Sequence, residues 1–348
     1  MRRLANSDLA SLTTRPYVEP MSTGLSKRAK LICVDWGTTN LRAYAIGEDG
    51  SVIDEAQSDA GLRSNRGNYS DCLTTMIGSW LKQDSPINIL LSGMIGAPTG
   101  WQEVPHVAAP VALPQLAAKA IPVTQLHGHT VWIVPGVKGT GISGLPDVMR
   151  GEEIQFFGAQ RLCVDRHAGQ PDIWCFPGTH NKWIASGENI DHFSTSMVGE
   201  IFELLRQHSL LAQSLEQNVS ANQPGFLRGL ETGRKAGGLL HHLFSVRTLD
   251  LTGAQEKSDG LEYLSGIIIG HDIGAQLRKP SQYVGVVASS PLARKYQIAL
   301  EALGHSSIII ESQAATINGA LAINEHLLAA SKQASKQASK QASKQAGV

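Results

Sequence analysis

The sequence predicts an α/β protein of two lobes around a central cleft, and three observations carry that expectation. The chain has 348 residues, more than one hydrophobic core usually serves. Short apolar strands and helix-period segments succeed one another from about residue 29 to residue 330. A strand, a small-residue turn and a second strand near Leu31 return near Trp174.

Residues 31–34 read as an apolar strand, followed by Gly37-Thr38-Thr39-Asn40 and a second strand at 41–46. The hairpin signal Glu48-Asp49-Gly50 then leads into 52–56, completing three antiparallel strands. A polar loop with Gly61 and Gly67 precedes a helix over 70–82 and a buried strand at 87–91. The second copy reads 174–176, then Gly178-Thr179-His180-Asn181, then 182–186 and a Gly187-Glu188 hairpin that answers Gly47-Glu48. Two unrelated hairpins are the alternative. Helical periods cover 198–211, 225–243 and 261–277; strand 283–288, helix 291–303, strand 307–310 and helix 314–328 close the pattern.

These elements divide the chain. Residues 1–28, rich in Arg, Ser and Thr, are expected to be a disordered extension. Residues 29–135 form the N-terminal lobe, with a helix at 312–330 packing back on it, and 136–311 form the C-terminal lobe. The last segment, 331–348, repeats Ala-Ser-Lys-Gln, a helix-compatible sequence with no apolar face to bury, so it is expected to be a disordered tail.

Thirty basic and thirty acidic residues cancel, which removes the electrostatic case for nucleic acid or an anionic membrane as main partner. A small-molecule ligand is expected instead. Cys33, Cys72, Cys163 and Cys175 form no CxxC pair and sit among apolar neighbours, in keeping with reduced thiols and a cytoplasmic location. No apolar run approaches the ~20 residues a membrane-spanning helix needs. Pairing as a homodimer is left open.

The strongest chemical signal is Asp35-Trp36-Gly37-Thr38-Thr39-Asn40, a carboxylate at a strand end beside a tight turn of small residues. Such a turn can aim N–H groups and hydroxyls at phosphate oxygens while Asp35 holds Mg²⁺; the plain alternative is a hairpin in which Asp35 caps the turn. A second turn, Gly178, Thr179, His180 and Asn181 with Lys182 after it, would supply contacts on the other side of a scissile phosphate bond. His180 and Lys182 also have bland readings as exposed turn and strand residues. Pro146-Asp147 heads an apolar segment, which places Asp147 at a helix N-cap. There it stays ionised and can accept a hydroxyl proton as a general base. Gly139-Thr140-Gly141-Ile142-Ser143-Gly144 matches a dinucleotide fingerprint, but the helix is expected after the glycines, so the segment reads as a flexible hinge loop.

Taken together, residues 35–42, 147–153 and 177–183 resemble the sugar kinases of the actin and heat-shock chaperone superfamily. More narrowly, with Ser92-Gly93-Met94-Ile95-Gly96, Gly100-Trp101 and residues 197–202, the chain resembles the 2-dehydro-3-deoxygalactonokinase family. The resemblance implies two ribonuclease-H-like lobes, ATP and Mg²⁺ as cofactors, and phosphorylation of a sugar acid on a terminal hydroxyl. It implies that Asp147 is the base and that Ala288, Ser289 and Ser290 lie by the adenosine, although Val286-Val287-Ala288 stands where such kinases carry glycines. For the sugar acid, a pocket needs hydroxyl partners and a cation. Arg63, Ser92, Gly93, Met94, Trp101, Glu103 and Arg150 are the candidates, with Arg66 read as a solvated loop residue. Two rivals stay open: a kinase for another hydroxy acid or amino sugar, and a non-enzymatic nucleotide switch.

Overall fold

Side-chain alternation in the first strand sets the architecture. In β1 (Ala29–Trp36), Ile32, Val34 and Trp36 face one side of the sheet, while Leu31 and Cys33 face the other, into a core shared by both lobes. The computed structural model describes residues 28–346 apart from 60, 167, 186 and 218–221, and no side chains at 340 and 342–346. All but the last residue of the expected 1–28 extension lies outside the described residues.

After β1 come β2 (Leu41–Gly47), β3 (Val52–Ser58), α1 (Tyr69–Ile77), β4 (Asn88–Gly93), β5 (Val107–Ala108), α2 (Leu113–Ala117), β6 (Ile121–Leu126) and β7 (His129–Ile133). The first sheet has the order β3-β2-β1-β4-β7-β6, with β1 antiparallel to β2 and parallel to β4. Next are β8 (Val137–Thr140), β9 (Pro146–Met149), α3 (Glu152–Asp165), β10 (Ile173–Phe176), β11 (Asn181–Ala185) and β12 (Phe193–Ser196). Then follow α4 (Val198–His208), α5 (Gln223–Gly233), α6 (Gly238–Leu251), α7 (Lys257–Gln276), β13 (Tyr283–Ala288), α8 (Ser290–Ala302), β14 (Ser306–Glu311) and α9 (Ser312–Ala346).

The second sheet, β12-β11-β10-β13-β14, has β10 antiparallel to β11 and parallel to β13. Its five strands therefore repeat the connectivity of β3-β2-β1-β4-β7, so the internal repeat read from the two small-residue turns is a repeat of topology. Both are ribonuclease-H-like sheets, each with its own helical cover.

Helices α3 and α9 lie between the sheets. Ile154, Phe156 and Phe157 of α3, with Ala315, Ile317 and Ile323 of α9, join Leu31, Cys33 and Leu90 to Trp174, Phe176 and Ile310 in one core. The two helices cross at glycines: a methyl group built on Gly158 would fall 1.8 Å from the Ala315 carbonyl oxygen, and one on Gly319 would fall 2.0 Å from that of Ile154. Any larger residue would force the helices, and with them the lobes, apart.

Four expectations change. Asp147 lies in β9, paired to Gly139 of β8, and α3 begins only at Glu152 with Gly151 as its N-cap; the loop that follows the glycines is a hairpin, not a helix start. For the same reason the 139–144 segment is no hinge. Its turn is closed by the Gly141 N–H on Leu145 O at 2.8 Å and pinned by the Ile142 N–H on Ser194 Oγ at 2.7 Å. The helical period at 225–243 divides into α5 and α6 at Gly237 and Gly238, whose φ angles of 127° and 75° interrupt a helix. Finally, α9 continues through the Ala-Ser-Lys-Gln repeats, where a disordered tail was expected from the missing apolar face. Ala, Lys and Gln are strong helix formers, and a helix already nucleated on the core extends at little cost.

Candidate active site

The two small-residue turns are built in the same way from different residues. In the first, the Gly37 N–H bonds Asn40 O at 2.9 Å. The carbonyls of Gly37, Thr38 and Thr39 accept the N–H groups of Leu62, Arg63 and Gly61 at 3.0, 3.2 and 3.1 Å. A trans peptide points its N–H opposite to its C=O, so the N–H groups of Thr38, Thr39 and Asn40 turn away from that loop. Only glycine fits at 61, where a methyl group would lie 2.4 Å from the Thr39 carbonyl carbon.

In the second turn the Gly178 N–H bonds Asn181 Oδ1 at 2.9 Å, and Thr179 O accepts the N–H of Glu200 at the start of α4 at 3.0 Å. Here the close approach is made by Gly199, where a methyl group would lie 2.5 Å from Gly178 O. The His180 ring meets the Glu200 carboxylate. Asn181, expected at a phosphate, turns its amide inward instead. Its Nδ2 donates to Asp272 Oδ2 at 3.0 Å and to the Tyr296 hydroxyl, and Trp183 Nε1 donates to the same Asp272 oxygen at 2.9 Å. Burial pushes the Asp272 carboxyl up, while hydrogen bonds from Ser196, Trp183 and Asn181 draw it back. Asp272 and Tyr296 were not among the expected site residues. The available signal was a lone carboxylate inside the apolar Ile267–Ile273 stretch of α7.

Lys182 of β11 pairs with Glu152 at the start of α3, the helix that lies between the sheets. Lys182 is 5 % exposed; its Nζ lies 3.3 Å from His180 O and 3.4 Å from Glu152 Oε1. Glu152 Oε2 accepts the Arg150 N–H at 3.2 Å, and a methyl group on Gly151 would touch Gly93 Cα at 3.7 Å. Gly93 ends β4, beside Trp36 of β1, with Ser92 opposite Asp35. The Asp35 carboxyl is pushed up by burial, lowered in part by Arg42, and raised again by the charge of Glu152. Glu152 and the buried Lys182 ammonium thus meet at the N-terminus of α3, and Gly93 carries the packing on to Asp35. Glu153, next along, is 0 % exposed; both its oxygens face the Gly151 N–H, and burial with the charge of Glu152 pushes it up to about 8.

Asp147 is engaged elsewhere. Oδ1 accepts the Val148 N–H at 2.7 Å and the Thr195 hydroxyl at 2.6 Å, and Oδ2 accepts the Thr195 N–H at 2.7 Å. Thr195 is the strand partner of Lys182, so Asp147 braces the strand beside the lysine.

Three cavities surround this centre. One of about 680 Å³ is walled by the Gly178-Thr179 turn, Phe202 of α4, Ile268 and Ile269 of α7, and Leu292 with Lys295 of α8. A second, polar, of about 440 Å³, brings Asp35 and Arg42 of the first lobe to Ser289 and Glu311 of the second. Of the expected adenosine residues, Ser289 therefore lines the polar cavity, Ser290 bonds Glu311, and Ala288 is buried at the end of β13. The apolar cavity is reached one turn later, at Pro291, Leu292 and Lys295.

The third cavity, about 530 Å³, is lined by Arg66, Tyr69, Ser70, Thr99 and Trp101, next to the loop that clamps the first turn. Trp101 stacks on Tyr69 with centroids 6.4 Å apart. Arg66 is exposed, as expected of a solvated loop residue, and stands at the cavity's wall; Arg63 and Glu103, expected as ligands, are also exposed and do not line it. Ser92 is buried and donates to Val34 O at 3.1 Å, and Met94 opens a short 3-10 turn after Gly93. Arg150 donates Nη2–H to Val104 O at 2.9 Å, beside His106.

Residues 35–323 match the model of the 2-keto-3-deoxy-galactonokinase family. A 2-dehydro-3-deoxygalactonokinase of Escherichia coli K12 is 32 % identical over 281 residues, 79 % of this chain and 91 % of that protein. A crystal structure of a protein from Sinorhizobium meliloti, described under the same enzyme name, superposes with a TM-score of 0.76 at 29 % identity, covering 85 % of this chain and 99 % of that one. The match spans the first turn, the α3 N-terminus and the second turn, which places this chain in the 2-keto-3-deoxy-galactonokinase family.

Proposed function

We propose that the chain transfers the γ-phosphate of ATP to a terminal hydroxyl of a sugar acid, the 6-hydroxyl of 2-dehydro-3-deoxygalactonate. The observation that carries this reading is the chain of contacts from the second turn through Lys182 to Glu152, whose neighbour Gly151 packs on Gly93 beside Asp35 at the edge of the first turn. Phosphoryl transfer needs positioning and charge neutralisation on both sides of one bond, which paired turns with a buried lysine supply.

In this reading the Thr38, Thr39 and Asn40 N–H groups hold one part of the triphosphate, and Gly178, Thr179 and His180 with Lys182 hold the other. The adenosine takes the apolar cavity by Leu292 and Lys295. Asp35 fits a divalent cation: a half-buried carboxyl, pushed up by desolvation and by the charge of Glu152, is relieved by an added positive charge. When bound, Mg²⁺ would neutralise charge on the phosphates. The sugar acid lies toward Trp101, with Arg66 as the cation for its carboxylate. We place the enzyme in a reducing, cytoplasmic setting, where its four free thiols persist. Among the described residues no helix is long and apolar enough to cross a membrane.

A coupled assay of ADP release tests the reading. The expected result is rapid turnover with 2-dehydro-3-deoxygalactonate, slower turnover with 2-dehydro-3-deoxygluconate and little with neutral hexoses. Equal rates across neutral sugars would remove the sugar-acid assignment.

A further inference from the structure

Resting on the kinase reading above, we propose that Glu152, rather than Asp147, is the catalytic base, and that Lys182 occupies it until the γ-phosphate arrives. Glu152 pairs with the cation of the second turn, and Gly151 just before it packs on Gly93, which abuts Asp35 at the edge of the first. Its Oε2 is fixed by the Arg150 N–H at 3.2 Å, while Oε1 faces Lys182 at 3.4 Å. Asp147, by contrast, has both oxygens committed to its own strand and to Thr195.

A γ-phosphate entering between the turns carries more negative charge than a carboxylate and draws Lys182 onto itself. Glu152 then loses its counter-ion but keeps its place through Arg150, with Oε1 open to the cleft. The substrate hydroxyl oxygen forms its bond to the γ-phosphorus as the bond from that phosphorus to the bridging oxygen breaks. The electron pair of the broken bond leaves on ADP, and the hydroxyl proton passes to Glu152 Oε1. The base is thus available only with ATP in place.

Steady-state kinetics and ATP calorimetry on Glu152→Gln, Glu152→Asp and Asp147→Asn test this. For Glu152→Gln, kcat is expected to fall on the order of 10²–10⁴-fold, while ATP binds as tightly as or more tightly than in the parent because a competing negative charge is gone. The acid limb of the kcat profile should vanish from the residual activity. Glu152→Asp keeps the charge, and so should keep that limb and the ATP affinity at reduced kcat; it also serves if the glutamine variant fails to fold. Asp147→Asn is expected to stay within about tenfold of the parent kcat. Loss of activity in Asp147→Asn with Glu152→Gln active would overturn the assignment and leave the kinase reading standing. Weaker ATP binding in Glu152→Gln with an unchanged pH profile would overturn it too, by reducing Glu152 to a structural part. If the parent enzyme phosphorylates no sugar acid, it is the underlying reading that fails.

Discussion

Glu153 lies in the first turn of α3 and Lys182 reaches the same helix terminus from β11, yet burial acts on them differently. Lys182 is buried but meets a carboxylate and a carbonyl, so its charge is compensated. Its replacement by Met should lower kcat/KM by on the order of 10²–10³-fold, the usual cost of losing one transition-state donor, with the ATP KM rising as well. Glu153 is buried without a full ion pair, and its carboxyl titrates near 8 when folded against an ordinary value of 4.5. Between those values the folded state holds a proton that the unfolded chain has released, so stability falls as pH rises through that window. Glu153→Gln removes the titration. Thermal melts of parent and variant should therefore diverge from pH 5 to pH 9, the variant gaining roughly 1–2 °C per 1 kcal/mol of relieved penalty. A parallel shift at both pH values would refute this.

At the scale of elements, the turns depend on what presses against them. Gly61 and Gly199 come from different elements, a loop and the start of α4, yet each lets backbone approach a turn where a methyl group could not fit. Gly199→Val should push α4 off the Thr179 carbonyl and raise the ATP KM at least about tenfold, with the first lobe unaffected. An unchanged KM would show that the turn does not hold ATP. Sequence pattern revealed the strands, the turns and their repetition, because alternation and small-residue turns are local signals. It missed the brace behind the second turn, since Asp272 and Tyr296 reach Asn181 from α7 and α8, about 90 and 115 residues away. It also misread residues 146–151. An apolar run after Pro146 fits a helix or an edge strand, and only pairing with β8 decides between them.

Over the whole molecule, the two sheets share a core through α3 and α9, which meet at Gly158 and Gly319. Gly158→Val would drive a side chain into Ala315 O; the expected result is loss of folded protein, read as insoluble expression or a collapsed melting transition. The repeats beyond residue 330 are different: residues 331–339 are exposed throughout and lie past the region matched by the family. A chain ending at Ala330 should keep its melting temperature and kcat. The two-lobe plan was legible because each lobe carries its own copy of the motif. The depth of the shared core was not, because Leu31, Phe156 and Ile310 signal only burial and do not name their partners. The most direct measurement is a crystal structure with a non-hydrolysable ATP analogue and Mg²⁺. The triphosphate should lie between Thr38-Thr39 and Thr179-His180, with Lys182 moved from Glu152 to the γ-phosphate. A nucleotide bound away from either turn, or Lys182 still on Glu152 beside a bound γ-phosphate, would contradict the account.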